Sequence, residues 1–292
     1  MPFLTVNHVT VYRYREPVTL GEHRMLFRPR ESHDLRLLSS KLLISPSPAH
    51  LRWLHDPFDN SVAVATFEGS VTDLRFESEL SLEHFDSTQP EYPLEDDAKT
   101  YPFSYSNDDF PSLAQALTPR YEHSQVSEWV LRFLDDAGST PTMQLLTNLT
   151  HGILEDLDYI RRSEKGVQSP SETLQRGQGS CRDFAVLMME AVRSLGIAAR
   201  FVSGYIFAPD DSGLAGSGET HAWMQAYLPG AGWIDFDPTN SIIGNRNLIR
   251  VAVAWSPENV LPLWGTYSGP LNSFIAMDVE VRVTEAPLSL EK

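Results

Sequence analysis

Residues 177–185 read Gly-Gln-Gly-Ser-Cys-Arg-Asp-Phe-Ala, and this stretch carries the single cysteine of the 292-residue chain. After the cysteine, apolar side chains recur at the three- and four-residue spacing of a helix packed on a core, and Gly196 is placed to end that helix. Ser180 is a suitable N-cap residue, with Asp183 three positions later as a capping-box partner. The pattern therefore predicts a helix whose first turn contains Cys181.

A cysteine at this position has two interpretations. The unpaired N–H groups and the positive dipole end of a helix N-terminus favour thiolate over thiol, and the preceding glycines leave the approach to Cys181 open. A lone cysteine is more often inert, however, and packs in the core like a small hydrophobic side chain. The nucleophile interpretation therefore requires a base elsewhere in the sequence.

A predicted hairpin further along the chain supplies such a base. Residues 221–228 and 232–237 alternate like strands around a turn near Pro229. A hairpin centred on Pro229 places His221 directly opposite Asp237 on one face, about 5 Å apart. A centre displaced by half a residue would put them on opposite faces, so the hypothesis requires this centre or a bulge. A carboxylate bound to one imidazole nitrogen leaves the other free to face a thiolate.

The remaining sequence suggests the domain organisation. Residues 1–85 contain short β-prone runs separated by turn formers, which predicts an antiparallel β-sandwich or small barrel. Residues 86–120 are acidic and contain several prolines, and we interpret them as a crossing between domains with a solvated surface. Residues 121–292 show helical spacing, then the cysteine helix, and then strand-like alternation.

Composition excludes several classes of function. The net charge of −16 and the pI near 4.9 argue against general nucleic-acid binding. No apolar run approaches the length of a membrane span, and the first residues lack the pattern of a signal peptide. A single cysteine cannot form an intrachain disulfide, so we expect a reducing, cytoplasmic environment.

These motifs together resemble the transglutaminase-like superfamily of papain-type thiol enzymes. The residues that carry the resemblance fall in four boxes between about 145 and 240, namely Gly179–Ala185, Gly196–Arg200 with Gly204-Tyr205, His221–Trp223, and Gly232-Trp233 through Asp237-Pro238-Thr239-Asn240. The front of the chain is similar to the N-terminal domain of bacterial transglutaminase-like proteins that are grouped with cysteine proteases. That similarity rests on Tyr12-Arg13-Tyr14, Arg28-Pro29-Arg30 and Asp56–Asn60.

The resemblance implies a role for each residue of the triad. Cys181 would be the nucleophile, His221 the general base and acid, and Asp237 the carboxylate that orients the imidazole. Asp235 is a rival for the last role, but the family's carboxylate directly precedes proline, which favours Asp237.

The resemblance also suggests residues around the triad. The family's oxyanion hole combines the backbone N–H of the cysteine, here Cys181, with an upstream side chain, and Tyr159 stands at the corresponding place. A core tyrosine with a satisfied hydroxyl is the alternative for Tyr159. Trp223 and Trp233 are expected to be strand and pocket-wall residues.

The expected fold class is α+β. An N-terminal antiparallel β-sandwich-like domain would be followed by a papain-like core, in which the helix carrying Cys181 packs on an antiparallel sheet carrying the histidine and the aspartate. We assign no metal and no cofactor. Residues 209–213 are too short and irregular for a calcium loop, and His50, His55 and Asp56 fit a surface loop better than a metal cluster.

Three functional hypotheses remain open. The first is thiol-dependent acyl transfer or hydrolysis at an amide carbonyl of a peptide or protein substrate, with hydrolysis, deamidation and transfer undecided. The second is a non-catalytic binding or scaffold protein that keeps this fold. The third adds recognition by the N-terminal β domain, whose edges could extend a peptide strand. The oligomeric state is left open.

Overall fold

A computed structural model describes residues 3–86, 91–122, 124–136, 138–162, 164–209 and 212–285. The strands are β1 Phe3–Arg28, β2 Leu35–Ser45, β3 His50–His55, β4 Ser61–Thr66, β5 Ser70–His84, β6 Thr100–Tyr101, β7 Thr140–Pro141, β8 Asp158–Tyr159, β9 Gln178–Gly179, β10 Ala199–Ile206, β11 His221–Leu228, β12 Gly232–Asp237, β13 Ile242–Ile243, β14 Leu248–Ala254, β15 Leu263–Ser268 and β16 Phe274–Glu285. The helices are α1 Phe110–Leu117, α2 Ser124–Leu131, α3 Thr142–Asp156, α4 Pro170–Arg176 and α5 Cys181–Ser194, with short 3-10 helices at Asp96–Ala98 and Pro257–Val260. No helix in these ranges has the length and apolar character that a membrane crossing requires.

The first sheet is built around the long strand β1. Its first half pairs with β5 on one side and β16 on the other, and its second half pairs with β4 and β15. The register on β5 shifts between Arg13 and Val18, which is where a bulge bends the strand. One antiparallel sheet thus curls around an apolar cluster that includes Val18, Met25 and Phe76.

The second sheet carries the predicted site residues. Its order is β13-β12-β11-β10-β14, and all its pairs are antiparallel. Even-numbered apolar residues of β11, such as Met224, share the largest buried cluster with residues of α5, such as Phe184. The helix that begins with Cys181 therefore packs on the sheet whose strand β11 begins with His221.

The cysteine helix forms as the sequence predicts. It begins at Cys181 with Ser180 as its N-cap residue, and Gly196 follows its end with a φ of 75°. This left-handed conformation suits glycine, and it lets the N–H of Ile197 reach the carbonyl of Val192 at 3.2 Å.

Two parts of the predicted organisation differ from the structure. The last strands, β15 and β16, pair with β1 in the first sheet, although the sequence groups them with the catalytic segment 121–292. The acidic crossing contains its own elements, including α1, whose Leu113 packs beside Ala198 at the start of the second sheet. Such long-range pairings leave no local signal, because either sheet could accept an alternating strand.

Candidate active site

The first turn of α5 is fixed by a buried carboxylate. Asp183 accepts hydrogen bonds from the backbone N–H of Ser180 at 2.8 Å and from its hydroxyl at 2.7 Å. It also accepts two from Nη1 of Arg162, at 2.7 and 2.8 Å, and one from the N–H of Gln168 at 2.7 Å. The Asp183 side chain is fully buried, so this network anchors both the helix start and the neighbouring segment.

Cys181 occupies the first position of this helix and opens into a cleft. The residue is partly exposed, and the cleft has a volume of about 210 Å³. Its walls include Arg162, Phe201 and Val260 as well as His221. The thiol is therefore accessible, unlike that of an inert core cysteine.

His221 and Asp237 form a buried pair. The imidazole Nε2 donates to Oδ2 of Asp237 at 2.8 Å, and neither side chain has solvent exposure. Asp237 also accepts hydrogen bonds from the N–H of Thr239 at 2.9 Å and from Nδ2 of Asn240 at 2.8 Å. The carboxylate is thus held in one orientation by three donors.

The surroundings favour the charged forms of this pair. Burial opposes ionisation of His221, but Asp237 and then Cys181 outweigh it and raise the pKa of the imidazole to about 10. Burial alone would raise the pKa of Asp237, yet His221, Asn240 and the N–H of Thr239 lower it. These shifts favour an imidazolium and a carboxylate at neutral pH.

The other imidazole nitrogen, Nδ1, is left for the thiol. Nδ1 is buried and has no partner in hydrogen-bonding geometry among the described residues, while the Cys181 thiol is near enough to raise the pKa of the ring. Gly216 closes the same edge of the ring, since a Cβ at that position would lie 2.5 Å from Nδ1. The backbone of Gly216 has a φ of 86°, which glycine adopts without strain.

The predicted hairpin is correct, but its centre is not. Leu228 pairs with Gly232 and Met224 with Phe236, so the hairpin is centred on Gly230 and not on Pro229. The loop turns at Gly230, which has a φ of 88°, and the N–H of Ala231 returns to the carbonyl of Leu228 at 3.0 Å. The pairing shifts by a whole residue on each side, which preserves the face of every side chain.

His221 and Asp237 therefore meet diagonally. In this register Trp223 stands opposite Asp237. His221 lies two residues before Trp223, on the same face of β11. The contact arises on the predicted face but not through the predicted direct pairing.

Asp235, the rival orienting carboxylate, serves another group. Its Oδ1 accepts a hydrogen bond from Nε1 of Trp223 at 2.6 Å, and its Oδ2 faces Nη1 of Arg250 at 3.9 Å. Asp237 is the carboxylate in contact with His221.

The expectation that Trp223 and Trp233 form the pocket wall is wrong for the catalytic cleft. Trp223 is fully buried and stacks behind His221, with ring centroids 5.8 Å apart. Trp233 borders a different cavity, beneath the guanidinium of Arg200. Both tryptophans lie further than His221 from the end of the sheet that borders the cleft. His221 reaches the cleft because it is the first residue of β11.

Tyr159 lies on the cleft wall with Cys181. Burial, followed by the charge at Cys181, raises the pKa of the phenol to about 12, so the hydroxyl remains a hydrogen-bond donor at neutral pH. The backbone N–H of Cys181 is one of the groups at a helix start that have no acceptor within the helix. These are the two donors that the sequence predicts for an oxyanion hole.

Sequence reasoning missed the contribution of Asn240. Its Nδ2 donates to Asp237, and its Oδ1 accepts from the N–H of Ala215 at 2.7 Å. Asn240 thereby joins the orienting carboxylate to the loop that holds Gly216. The only available signal was its place three residues after the aspartate, in the quoted Asp-Pro-Thr-Asn run.

Within the described ranges, no three His, Cys, Asp or Glu side chains converge on a position suited to a metal ion. His50 and His55 are the two ends of β3 rather than parts of a loop, and His55 lies 3.4 Å from Asp59.

Two family models match separate parts of the chain. Residues 4–83 match the bacterial transglutaminase-like N-terminal region, and residues 133–238 match the transglutaminase-like superfamily. The second match contains all three residues of the predicted triad.

The chain is also similar to mycobacterial proteins. The uncharacterized protein ML0607 of Mycobacterium leprae is 38% identical over 130 residues, which are 44% of this chain and 45% of that protein. The match therefore spans less than half of that relative. The uncharacterized protein Rv2569c of Mycobacterium tuberculosis is 27% identical over 288 residues, covering 94% of this chain and 91% of that protein.

A solved structure confirms the predicted α+β fold. The crystal structure described as a "Putative Cysteine Protease from Cytophaga hutchinsonii" superposes with a TM-score of 0.70 at 19% identity, covering 99% of this chain and 93% of that chain. At this identity the likeness concerns the fold alone. The chain therefore combines a bacterial transglutaminase-like N-terminal region with a core of the transglutaminase-like superfamily.

Proposed function

We propose that this chain catalyses thiol-dependent acyl transfer or hydrolysis at an amide carbonyl of a peptide or protein substrate. The observation that carries the proposal is the buried His221–Asp237 pair, 2.8 Å apart, beside an accessible thiol at a helix N-terminus. A scaffold protein has no need to hold an imidazolium in such a place, because burying charge is costly.

In the first step, the thiolate of Cys181 attacks the carbonyl carbon, and a C–S bond forms as the carbonyl π electrons move onto oxygen. The imidazolium of His221 then gives its Nδ1 proton to the departing amine nitrogen, and the C–N bond breaks. Asp237 stays ionised, and it holds the ring so that Nδ1 faces the reaction. The product of this step is a thioester on Cys181.

The developing oxyanion would be stabilised by two donors. These are the N–H of Cys181 at the start of α5 and the hydroxyl of Tyr159, both on the same cleft. A preorganised donor of this kind contributes about 3–4 kcal/mol of transition-state stabilisation in well-studied hydrolases.

In the second step, the neutral His221 accepts a proton from water or from an amine, which attacks the thioester carbonyl and releases Cys181. Water gives hydrolysis or deamidation, and an amine gives transfer. The cleft has apolar walls at Phe201, Val260 and Leu261, with the Arg161–Glu219 pair at its rim. We propose that these walls receive an uncharged part of the acyl group.

Three further expectations belong to this proposal. The reaction requires no metal and no cofactor, the chain acts in the cytoplasm, and residues 1–85 take part in substrate recognition. The curled sheet supports the third, because an extended peptide can pair with the backbone of an edge strand.

The test is a library of peptides carrying internal amides and glutamine side chains, with intact-mass detection of a covalent adduct on the protein. We expect an adduct on Cys181 of the wild type and none on the Cys181→Ser variant. Adducts of equal abundance on both proteins would overturn the assignment of the nucleophile. A folded wild type that forms no adduct with any peptide would instead favour the non-catalytic alternative.

A further inference from the structure

A second cavity lies apart from the catalytic cleft. It has a volume of about 510 Å³ and shares no lining residue with that cleft. One wall is formed by residues 30–34 after β1, and another by strands β10, β11, β12 and β14 of the second sheet. Its size is in the range of cavities that bind small organic molecules.

Arg200 presents unused hydrogen-bond donors to this cavity. Its Nε donates to Oε1 of Gln225 at 2.8 Å, and its guanidinium lies 4.1 Å from the ring centroid of Trp233. Among the described residues, Arg200 makes no ion pair, and its Nη groups have no acceptor. Burial lowers the pKa of Arg200 to about 9, and Arg250 adds to this effect, which the nearby Asp235 offsets only in part.

Tyr92 presents a second unused donor. Its hydroxyl is buried and has no hydrogen-bond partner in the described part of the chain, and the residue lines the same cavity. Burial and then Asp235 raise the pKa of this phenol to about 12, so it remains protonated. A buried polar group without a partner costs free energy, which an acceptor in the cavity would recover.

The other charged residues of the cavity limit the type of anion, and they include Glu31 and Arg30, which is paired with Asp59 at 2.8 Å. Arg250 is occupied by Asp34, with contacts of 3.2 and 3.4 Å, and it also faces Asp235. These two carboxylates repel a dianion more strongly than a monoanion. The planar fork of a guanidinium also matches the two oxygens of a carboxylate.

We propose that this cavity binds a small organic carboxylate, whose oxygens accept hydrogen bonds from the Nη groups of Arg200 and from the hydroxyl of Tyr92. Phe58 and Ile234 on the walls would contact an apolar part of the ligand. This binding site goes beyond the proposed catalytic function and does not depend on it.

The test is isothermal titration calorimetry of the full chain with 3-phenylpropionate. We expect saturable binding, no comparable binding of the neutral alcohol 3-phenylpropanol, and affinity weakened about tenfold or more in Arg200→Met. Arg246→Met, which removes an exposed arginine outside the cavity, should bind as the wild type does. Tyr92→Phe should weaken binding by a smaller factor and serves as a second variant if Arg200→Met fails to fold.

Three results of these titrations would overturn the proposal, and a fourth comes from the Cys181→Ser variant described below. The first three are equal binding of the acid and the alcohol, unchanged affinity in both cavity variants, and tighter binding of inorganic phosphate than of the carboxylate. The titration of Cys181→Ser separates this cavity from the catalytic cleft. Unchanged affinity in that variant supports the second site, and loss of binding would place the ligand in the cleft.

Discussion

At the scale of single residues, the site depends on the burial of the charged His221–Asp237 pair beside an accessible thiol. The Cys181 thiol is accessible, whereas His221 and Asp237 are fully buried and compensate each other's charge. A buried ion pair is stable only when its remaining lone pairs are also satisfied. Asn240 and the N–H of Thr239 meet that condition for Asp237.

The charge on His221 predicts a pH dependence of stability. The folded-state pKa of about 10 lies above the ordinary 6.5, so the stabilisation is fully present below pH 6.5 and is lost as the pH rises towards 10. We compare the wild type with a double variant, His221→Gln with Asp237→Asn, by urea unfolding between pH 6 and 10. The wild type should lose stability relative to the double variant by at most about 1.4 kcal/mol per pH unit. Titratable groups that do not contact the pair cancel in this difference, and parallel curves would contradict the assigned charge state.

From the contacts of Asn240 we predict that removing its side chain lowers the reactivity of the Cys181 thiol, although the three residues of the triad are unchanged. In Asn240→Ala, Asp237 loses one donor and Ala215 loses its partner, so the imidazole is held less firmly. We expect iodoacetamide to alkylate Cys181 about three- to tenfold more slowly at pH 7, as measured by intact mass, because a hydrogen bond contributes about 1 kcal/mol. Asn148→Ala, at an exposed position on α3, is the matched control and should react as the wild type does. Equal alkylation rates in the two variants would show that Asn240 does not help to position His221.

At the scale of elements, the active site is the meeting of a helix start and a strand start. α5 brings Cys181 to the cleft at its first position, and β11 brings His221 there at its first position. The helix start is stabilised by Asp183, whose carboxylate binds Arg162, Gln168 and Ser180.

We therefore predict that replacing Asp183 strongly lowers the free energy of unfolding. Asp183→Ala removes the buried carboxylate of Arg162, whose side chain is only 11% exposed, and leaves it the longer 3.6 Å contact with the exposed Glu164. Loss of one partner of a buried pair costs about 3–5 kcal/mol. The control is Glu172→Gln, which breaks the exposed Arg176–Glu172 pair of α4 and should cost less than about 1 kcal/mol. Urea unfolding at pH 7 measures both, and similar costs would refute the anchoring role of Asp183.

The elements also show what local sequence could and could not predict. The spacing of apolar residues predicts the extent of α5. The alternation in β11 and β12 predicts a shared face for His221 and Asp237 only if the hairpin is centred on a whole residue, as it is. The predicted hairpin centre, Pro229, lies one residue before the observed one, because it is Gly230 that adopts the left-handed conformation of the turn. The loop containing Gly216 was not predicted to cover the imidazole, because nothing local in a glycine-rich loop indicates what it packs against.

At the scale of the whole molecule, the two sheets are joined by buried polar and apolar contacts. His8 on β1 bonds through Nδ1 to the hydroxyl of Tyr205 on β10 at 2.9 Å, and both side chains are buried. Leu4 and Val6 share an apolar cluster with Ile249 of the second sheet. The pairing of β15 and β16 with β1 also ties the end of the chain to its beginning, which the sequence could not reveal because the partners are far apart in the chain.

The His8–Tyr205 contact predicts how strongly the sheets are coupled. Burial lowers the pKa of His8 to about 4, so the imidazole is neutral at pH 7 and shares a neutral hydrogen bond with Tyr205. Tyr205→Phe leaves His8 without this partner and should lower the free energy of unfolding by about 1–3 kcal/mol. Tyr267→Phe, at a residue that is 43% exposed on β15, is the control and should have little effect. Equal unfolding midpoints for the two variants would show that this contact does not couple the sheets.

The most direct test of the catalytic site is the rate at which iodoacetamide alkylates Cys181 at pH 6, in the wild type and in His221→Gln. Because the chain has one cysteine, a single mass shift reports this thiol alone. An imidazolium beside the sulfur should make the wild type react about tenfold faster or more. Equal rates in the two folded proteins would mean that His221 does not activate the thiol, which would contradict the proposed mechanism.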